Sequence, residues 1–260
     1  MHEALSGALP GVQSYWAVSA LCVASAVPFF RSGAVAFTRR IPSGMRPEIS
    51  VPLSDDAKVR DETRLFTGGV LTLVAACVGA EACVATWSYS DALLRMGCTP
   101  GAAAIATASF WGGLVGGRLI ASALASGGRG LTPSQILRLS LPLALVGATG
   151  ALAAPVVALG PAGQALYTGS LAALGLGLAP SFPSAVALLA ERVPPTGRTQ
   201  AAIQLACCGG AGFAAPLAGW LSAGAAGTSA CFSVSAGAVA VGLASLAAVH
   251  TARIGGARGS

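Results

Sequence analysis

The chain has 260 residues; 54% are hydrophobic, only 9% are charged, and the mean hydropathy is +0.73. Ordinary soluble domains carry roughly 25% charged residues, so a hydrated globular surface is excluded. The net charge of +6 would suit nucleic acid, but the basic residues lie in loops between apolar segments; they are assigned to membrane topology and nucleic-acid binding is set aside.

Two stretches, Leu139–Ala190 and Thr199–Ala252, run for 52 and 54 residues without Asp, Glu, Lys or Arg. A bilayer core about 30 Å thick is crossed by roughly 20 apolar residues, so each stretch has room for two spans and a turn. Seven transmembrane helices are predicted. The first covers Val12–Phe30; it lacks a basic n-region and carries Arg31 on its far side, so no signal peptide is read there. A polar segment, Arg31–Arg64, follows and is predicted as a cytoplasmic loop. The second helix runs over Leu65–Tyr89 and the third over Pro100–Leu124, ended by Gly127-Gly128-Arg129-Gly130. Thr132-Pro133-Ser134 is an N-terminal signal for the fourth, Ser134–Val156. Pro155 and Gly160-Pro161 divide the first charge-free stretch. The fifth helix covers Ala162–Ala179, with Ser184–Ala190 prolonging it past a proline-containing bend. The polar loop Glu191–Arg198 leads to the sixth, Thr199–Leu221, and a Gly/Ala turn leads to the seventh, Ser229–Val249, before a short tail. The 35 glycines suit helices packed closely in lipid.

The basic residues give a direction. With the first loop inside, fourteen of the fifteen Lys and Arg fall on one side, leaving only Arg95 on the other. Cytoplasmic loops carry the Lys/Arg excess, so the N-terminus is expected outside, the C-terminus inside, and the span count odd.

Glu81 is the only acidic residue within a predicted span. A carboxylate in a helix that crosses lipid costs on the order of 2.5–3.5 kcal/mol on insertion scales and generally faces a bundle interior or a water cavity. Cys77, Glu81 and Ser88 share one helical face. Two readings fit Glu81: a lining residue that bonds a solute hydroxyl or carries a coupling proton or sodium ion, and a protonated or paired structural group. Trp87 and Tyr89 suit stacking on a sugar ring and equally an interfacial aromatic belt. Gln164, Tyr167 and Ser170 form a polar stripe, and Gln204 stands at comparable depth; each is a solute contact or a bond to a neighbouring helix. Gly112/Gly116 and Gly113/Gly117 are overlapping GxxxG patterns, a close-packing face. The seven cysteines lack metal-ligand or disulfide-framework spacing. The only histidines, His2 and His250, lie near the ends, and HExxH, CxxC, GxSxG and Walker sequences are absent. No enzyme chemistry, metal or cofactor is expected.

The last six predicted helices form two triplets, Leu65–Val156 and Ala162–Val249, that enter the membrane from opposite sides, as in an inverted-topology repeat. Gly79-Ala80-Glu81 with Trp87-Ser88-Tyr89, Ser109-Phe110-Trp111-Gly112 with Gly117-Arg118, and Pro180-Ser181-Phe182-Pro183-Ser184 before Glu191 and Gly197-Arg198 carry a resemblance. In this order they resemble helices seven, eight and ten of the fucose-permease-like and sodium-dependent-glucose-transporter-like branch of the major facilitator superfamily. The resemblance covers Leu65–Val249 and makes the first span the sixth helix of that fold. It implies an all-α six-helix half-bundle, a small polar solute such as a monosaccharide, and alternating access. It also implies a gating role for Arg118, which the bottom-up reading leaves as a snorkelling cation. Helices one to five of the family have no counterpart here, so an N-terminal half-bundle is expected to be missing or supplied in trans. The competing reading is a non-transporting membrane scaffold or truncated remnant.

Overall fold

The computed structural model describes residues 57–126, 130–158, 160–224 and 227–257. The predicted first span Val12–Phe30, the polar segment through residue 56, residues 127–129 and the last three residues of the tail lie outside the described residues. Among the described residues all regular structure is helical: α1 (Ala57–Leu94), α2 (Pro100–Ala125), α3 (Pro133–Val157), α4 (Gly160–Leu178), α5 (Ser181–Ala190), α6 (Gly197–Ser222), a short 3₁₀ turn (Gly227–Ser229) and α7 (Ala230–Ala257). Six stretches are long and apolar enough to cross a membrane, with α4 and α5 together making one of them. The chain is therefore a multi-pass integral membrane protein, and the six spans among the described residues coincide with the second to seventh predicted helices.

Local sequence explains the helix ends. The Thr99 hydroxyl accepts from the Ala102 N–H ahead of Pro100, and Thr132 and Gln135 form a reciprocal capping box ahead of Pro133. Thr196 caps α6 by accepting from the Thr199 N–H. Gly97, at φ +60°, turns the chain between α1 and α2 in the left-handed region that glycine enters without a Cβ penalty. One boundary departs from expectation at both ends: α1 starts at Ala57 rather than Leu65 and stops at Leu94 rather than Tyr89. Charge led the sequence reading to a loop, yet Lys58–Arg64 and Ser90–Leu94 contain no Gly or Pro, so nothing interrupts the backbone ladder. Asp91 consequently lies within a span and is fully buried. This corrects the expectation that Glu81 is the sole intramembrane acid.

Two helices occupy the centre. α1 packs along α6 and α7, α4 packs along α2 and α3, and α3 meets α7 between the two groups. Glycine sets the closest crossings. A Cβ on Gly175 would strike the Phe110 carbonyl of α2, and one on Gly210 would strike the Ala75 carbonyl of α1. The interior between them is filled by Phe66, Phe110, Leu137, Tyr167, Leu171 and Phe232. The outward surface carries large apolar side chains, among them Leu119, Val146, Leu205, Phe213 and Trp220, as a lipid-facing surface requires.

Candidate functional site

The interruption between α4 and α5 organises the first polar group of residues. Proline has no N–H, so Pro180 leaves the Leu176 carbonyl without its helical donor and Pro183 does the same to Ala179. The Leu176 carbonyl is turned toward Gly117 of α2. Ser181 opens α5, almost wholly buried, and its hydroxyl has no hydrogen-bond partner among the described residues. Its neighbour across the break is the Cys77 thiol of α1. One turn further along α1 is Glu81, half-buried and within electrostatic reach of Arg118 on α2. With α1 ending at Leu94, Glu81 lies about 20 Å from that end at 1.5 Å per residue, well inside the bilayer. A carboxylate, a thiol, an unpartnered hydroxyl and a guanidinium thus converge on a broken helix at membrane depth.

A second polar cluster joins the opposite end of α1 to three other helices. Arg95 grips Asp91 through both carboxylate oxygens, Nε to Oδ1 and Nη2 to Oδ2 each at 2.8 Å. The same guanidinium donates to the Ala151 carbonyl at 2.9 Å and the Leu152 carbonyl at 3.2 Å on α3. Ala151 is the residue whose carbonyl Pro155 cannot serve, so Arg95 supplies the donor that the proline withholds. The Tyr167 and Phe232 rings, edge to face with centroids 5.7 Å apart, each place their centroid 5.8 Å from the guanidinium carbon. Burial opposes the charged form of Arg95, but the bond to Asp91 and its charge outweigh it, and the pKa is raised. The Tyr167 hydroxyl donates to the Ser88 carbonyl at 3.1 Å. Tyr167→Phe is expected to cost about 1 kcal/mol through that lost bond, read as a small drop in the thermal midpoint of the detergent-solubilised protein.

The structure distributes the remaining sequence candidates rather than gathering them. Trp87 packs on α6, its Nε1 donating to the Ala215 carbonyl at 2.9 Å and its ring against Gly219, so it braces two helices. Tyr89 is 40% exposed on the outer surface of α1. The Gln164, Tyr167, Ser170 stripe turns into the bundle: Tyr167 and Ser170 are buried, meeting Ser88 of α1 and Gly150 of α3, and Gln164 is half-buried. Gln204 is exposed on α6, its amide donating within the same helix to the Cys208 sulfur at 3.8 Å. The GxxxG expectation divides. Gly113 and Gly117 face α4, whereas Gly112 and Gly116 meet nothing within 4 Å; adjacent residues point about 100° apart, so only one pair can face the neighbour. Arg118 lies within α2, which continues to Ala125.

Asp91, Arg95 and Ser181 escaped the sequence reading. The first two had a signal, an acid four residues ahead of a base, hidden by placing the helix end at Tyr89. Ser181 had none, because its isolation depends on what surrounds it.

Among the described residues, two cavities bear on these groups. One of about 570 Å³ lies among α1, α6 and α7 and is lined by small and apolar residues such as Ala75, Gly79, Gly210 and Phe213. The other, about 430 Å³, lies among α2, α3 and α5 and includes Arg118, Ser122 and Ser184. No family model, curated protein or solved structure matches the chain.

Proposed function

We propose that this protein is a secondary transporter of major-facilitator type, or the C-terminal half of one, moving a small polar solute by alternating access. The observation that carries the reading is Glu81: a carboxylate well inside the bilayer, opposite a proline-broken helix with a buried, unpartnered hydroxyl. Broken helices at mid-membrane are where transporters bind solutes and coupling ions, because the backbone groups they release need partners. The packing supports it as well. Exchanging α1–α3 for the second triplet (α4 with α5, then α6, then α7) maps the α1–α6 contact onto α4–α2, α1–α7 onto α4–α3, and α3–α7 onto itself. Two inverted three-helix repeats have that pairing.

In this reading Glu81 bonds a solute hydroxyl or carries the coupling proton or sodium ion. Arg118 holds helix ends at the gate, and an N-terminal half-bundle closes the solute path. The sequence resemblance points to a monosaccharide. The test is uptake of a labelled monosaccharide panel into proteoliposomes, with the N-terminal half supplied, comparing the native protein with Glu81→Gln. Uptake is expected to fall at least about tenfold in the variant, matching loss of one charge-assisted contact, together with its dependence on pH or sodium. Equal rates for the two proteins would remove Glu81 from the mechanism. Absence of uptake for every solute would favour the scaffold reading.

A further inference from the structure

Beyond the gating role given to Arg118, the cavity beside it has a composition of its own. Among the described residues its polar lining is one guanidinium and two hydroxyls, Arg118 and Ser122 of α2 and Ser184 of α5, with no carboxylate. Among the described residues Arg118 makes no hydrogen bond and no salt bridge of its own. Glu81 acts on it only at longer range and does not line the cavity. The opposite wall, Leu131 and Ile136, is apolar.

A second observation gives the ligand its shape. Ala121 and Ile136 also line a second, narrower cleft of about 120 Å³ alongside it, between α2 and α3, whose lining includes Ile120, Leu124, Leu139 and Leu143. A cation that forms no salt bridge among the described residues, with hydroxyl donors beside it, therefore adjoins a cleft lined largely by hydrocarbon. It lies toward the ends of α2 and α5 and the start of α3, the end of the bundle that the basic-residue pattern assigns to the cytoplasm.

We infer that this cavity binds an anionic phospholipid of the cytoplasmic leaflet, its phosphodiester on Arg118, Ser122 and Ser184 and an acyl chain in the α2–α3 cleft. Guanidinium and phosphate match in charge and in donor geometry, and basic pockets between cytoplasmic helix ends suit lipid headgroups. A zwitterionic headgroup would bring a second cation beside Arg118 with no carboxylate in the lining to receive it, so the site favours a lipid of net negative charge.

Native mass spectrometry of the full chain in detergent tests this, with dioleoylphosphatidylglycerol, dioleoylphosphatidylcholine or inorganic phosphate added. One phosphatidylglycerol is expected to stay on the native chain, about tenfold better retained than phosphatidylcholine. Arg118→Gln is expected to abolish that preference, and Arg138→Gln, an exposed cation of α3 outside the cavity, to keep it. Ala121→Leu leaves the guanidinium and adds bulk at a residue that lines both spaces, so it too should lower retention. Equal retention of the two lipids by the native chain, a comparison that needs no variant to fold, would overturn the proposal. So would undiminished phosphatidylglycerol on a monodisperse Arg118→Gln protein. Displacement of the lipid by millimolar phosphate would assign the cavity to a soluble anion and equally overturn it.

Discussion

Asp91→Ala is expected to destabilise the protein by about 3–5 kcal/mol, the cost of leaving a buried charge without its partner. Asp91 is fully buried, and the Arg95 side chain is only 17% exposed. Once the carboxylate is gone, Arg95 keeps two carbonyls and two ring faces, but no anion. Four helices meet at this guanidinium through α1, α3, Tyr167 of α4 and Phe232 of α7, so the loss should reach well beyond α1. Thermal unfolding in detergent followed by circular dichroism measures it. The double variant Asp91→Leu/Arg95→Met should recover much of the loss, because apolar replacement of a buried ion pair is often neutral. Recovery should stay incomplete, since Ala151 then loses its only side-chain donor. A single-variant cost below about 1 kcal/mol would mean that the pair behaves like a solvated surface bridge.

Gly175→Ala should be nearly as damaging, although it adds one methyl group. The new Cβ would run into the Phe110 carbonyl, which is backbone and cannot rotate away. α2 and α4 must separate to admit it, at a cost of about 1–3 kcal/mol for overpacking. Gly112→Ala is the internal contrast. Nothing lies within 4 Å of a Cβ there, and alanine is about 1 kcal/mol better than glycine within a helix, so the thermal midpoint should hold or rise. Equal losses at both positions would show that the α2–α4 contact is looser than its geometry implies.

The six described spans were legible in the sequence because hydropathy over twenty residues is a large signal that single side chains cannot mask. The proline interruption of the fifth predicted helix could be read for the same kind of reason, since a missing N–H is a covalent fact. What faces what was far less legible. Trp87 could be a belt residue, a stacking platform or a brace, and only the position of the Ala215 carbonyl on α6 selects the brace. For Tyr167 the stripe leaves a solute contact and a bond to a neighbouring helix both open, because helical spacing gives the face and not its neighbour; the Ser88 carbonyl selects the bond. Asp91 was lost to the assumption that charge marks a loop. The bidentate bond that neutralises it is formed by Arg95, beyond the end of α1.

The meeting of Arg95 with the Ala151 carbonyl has a consequence for inheritance. A proline within a span and a cation tucked among helix ends are each poor choices in hydrocarbon, and a survey of residues one at a time would score both as blemishes. Here each is the remedy for the other. Lineages that lose one should drift away from its companion, so Pro155 and Arg95 are expected to persist or vanish together.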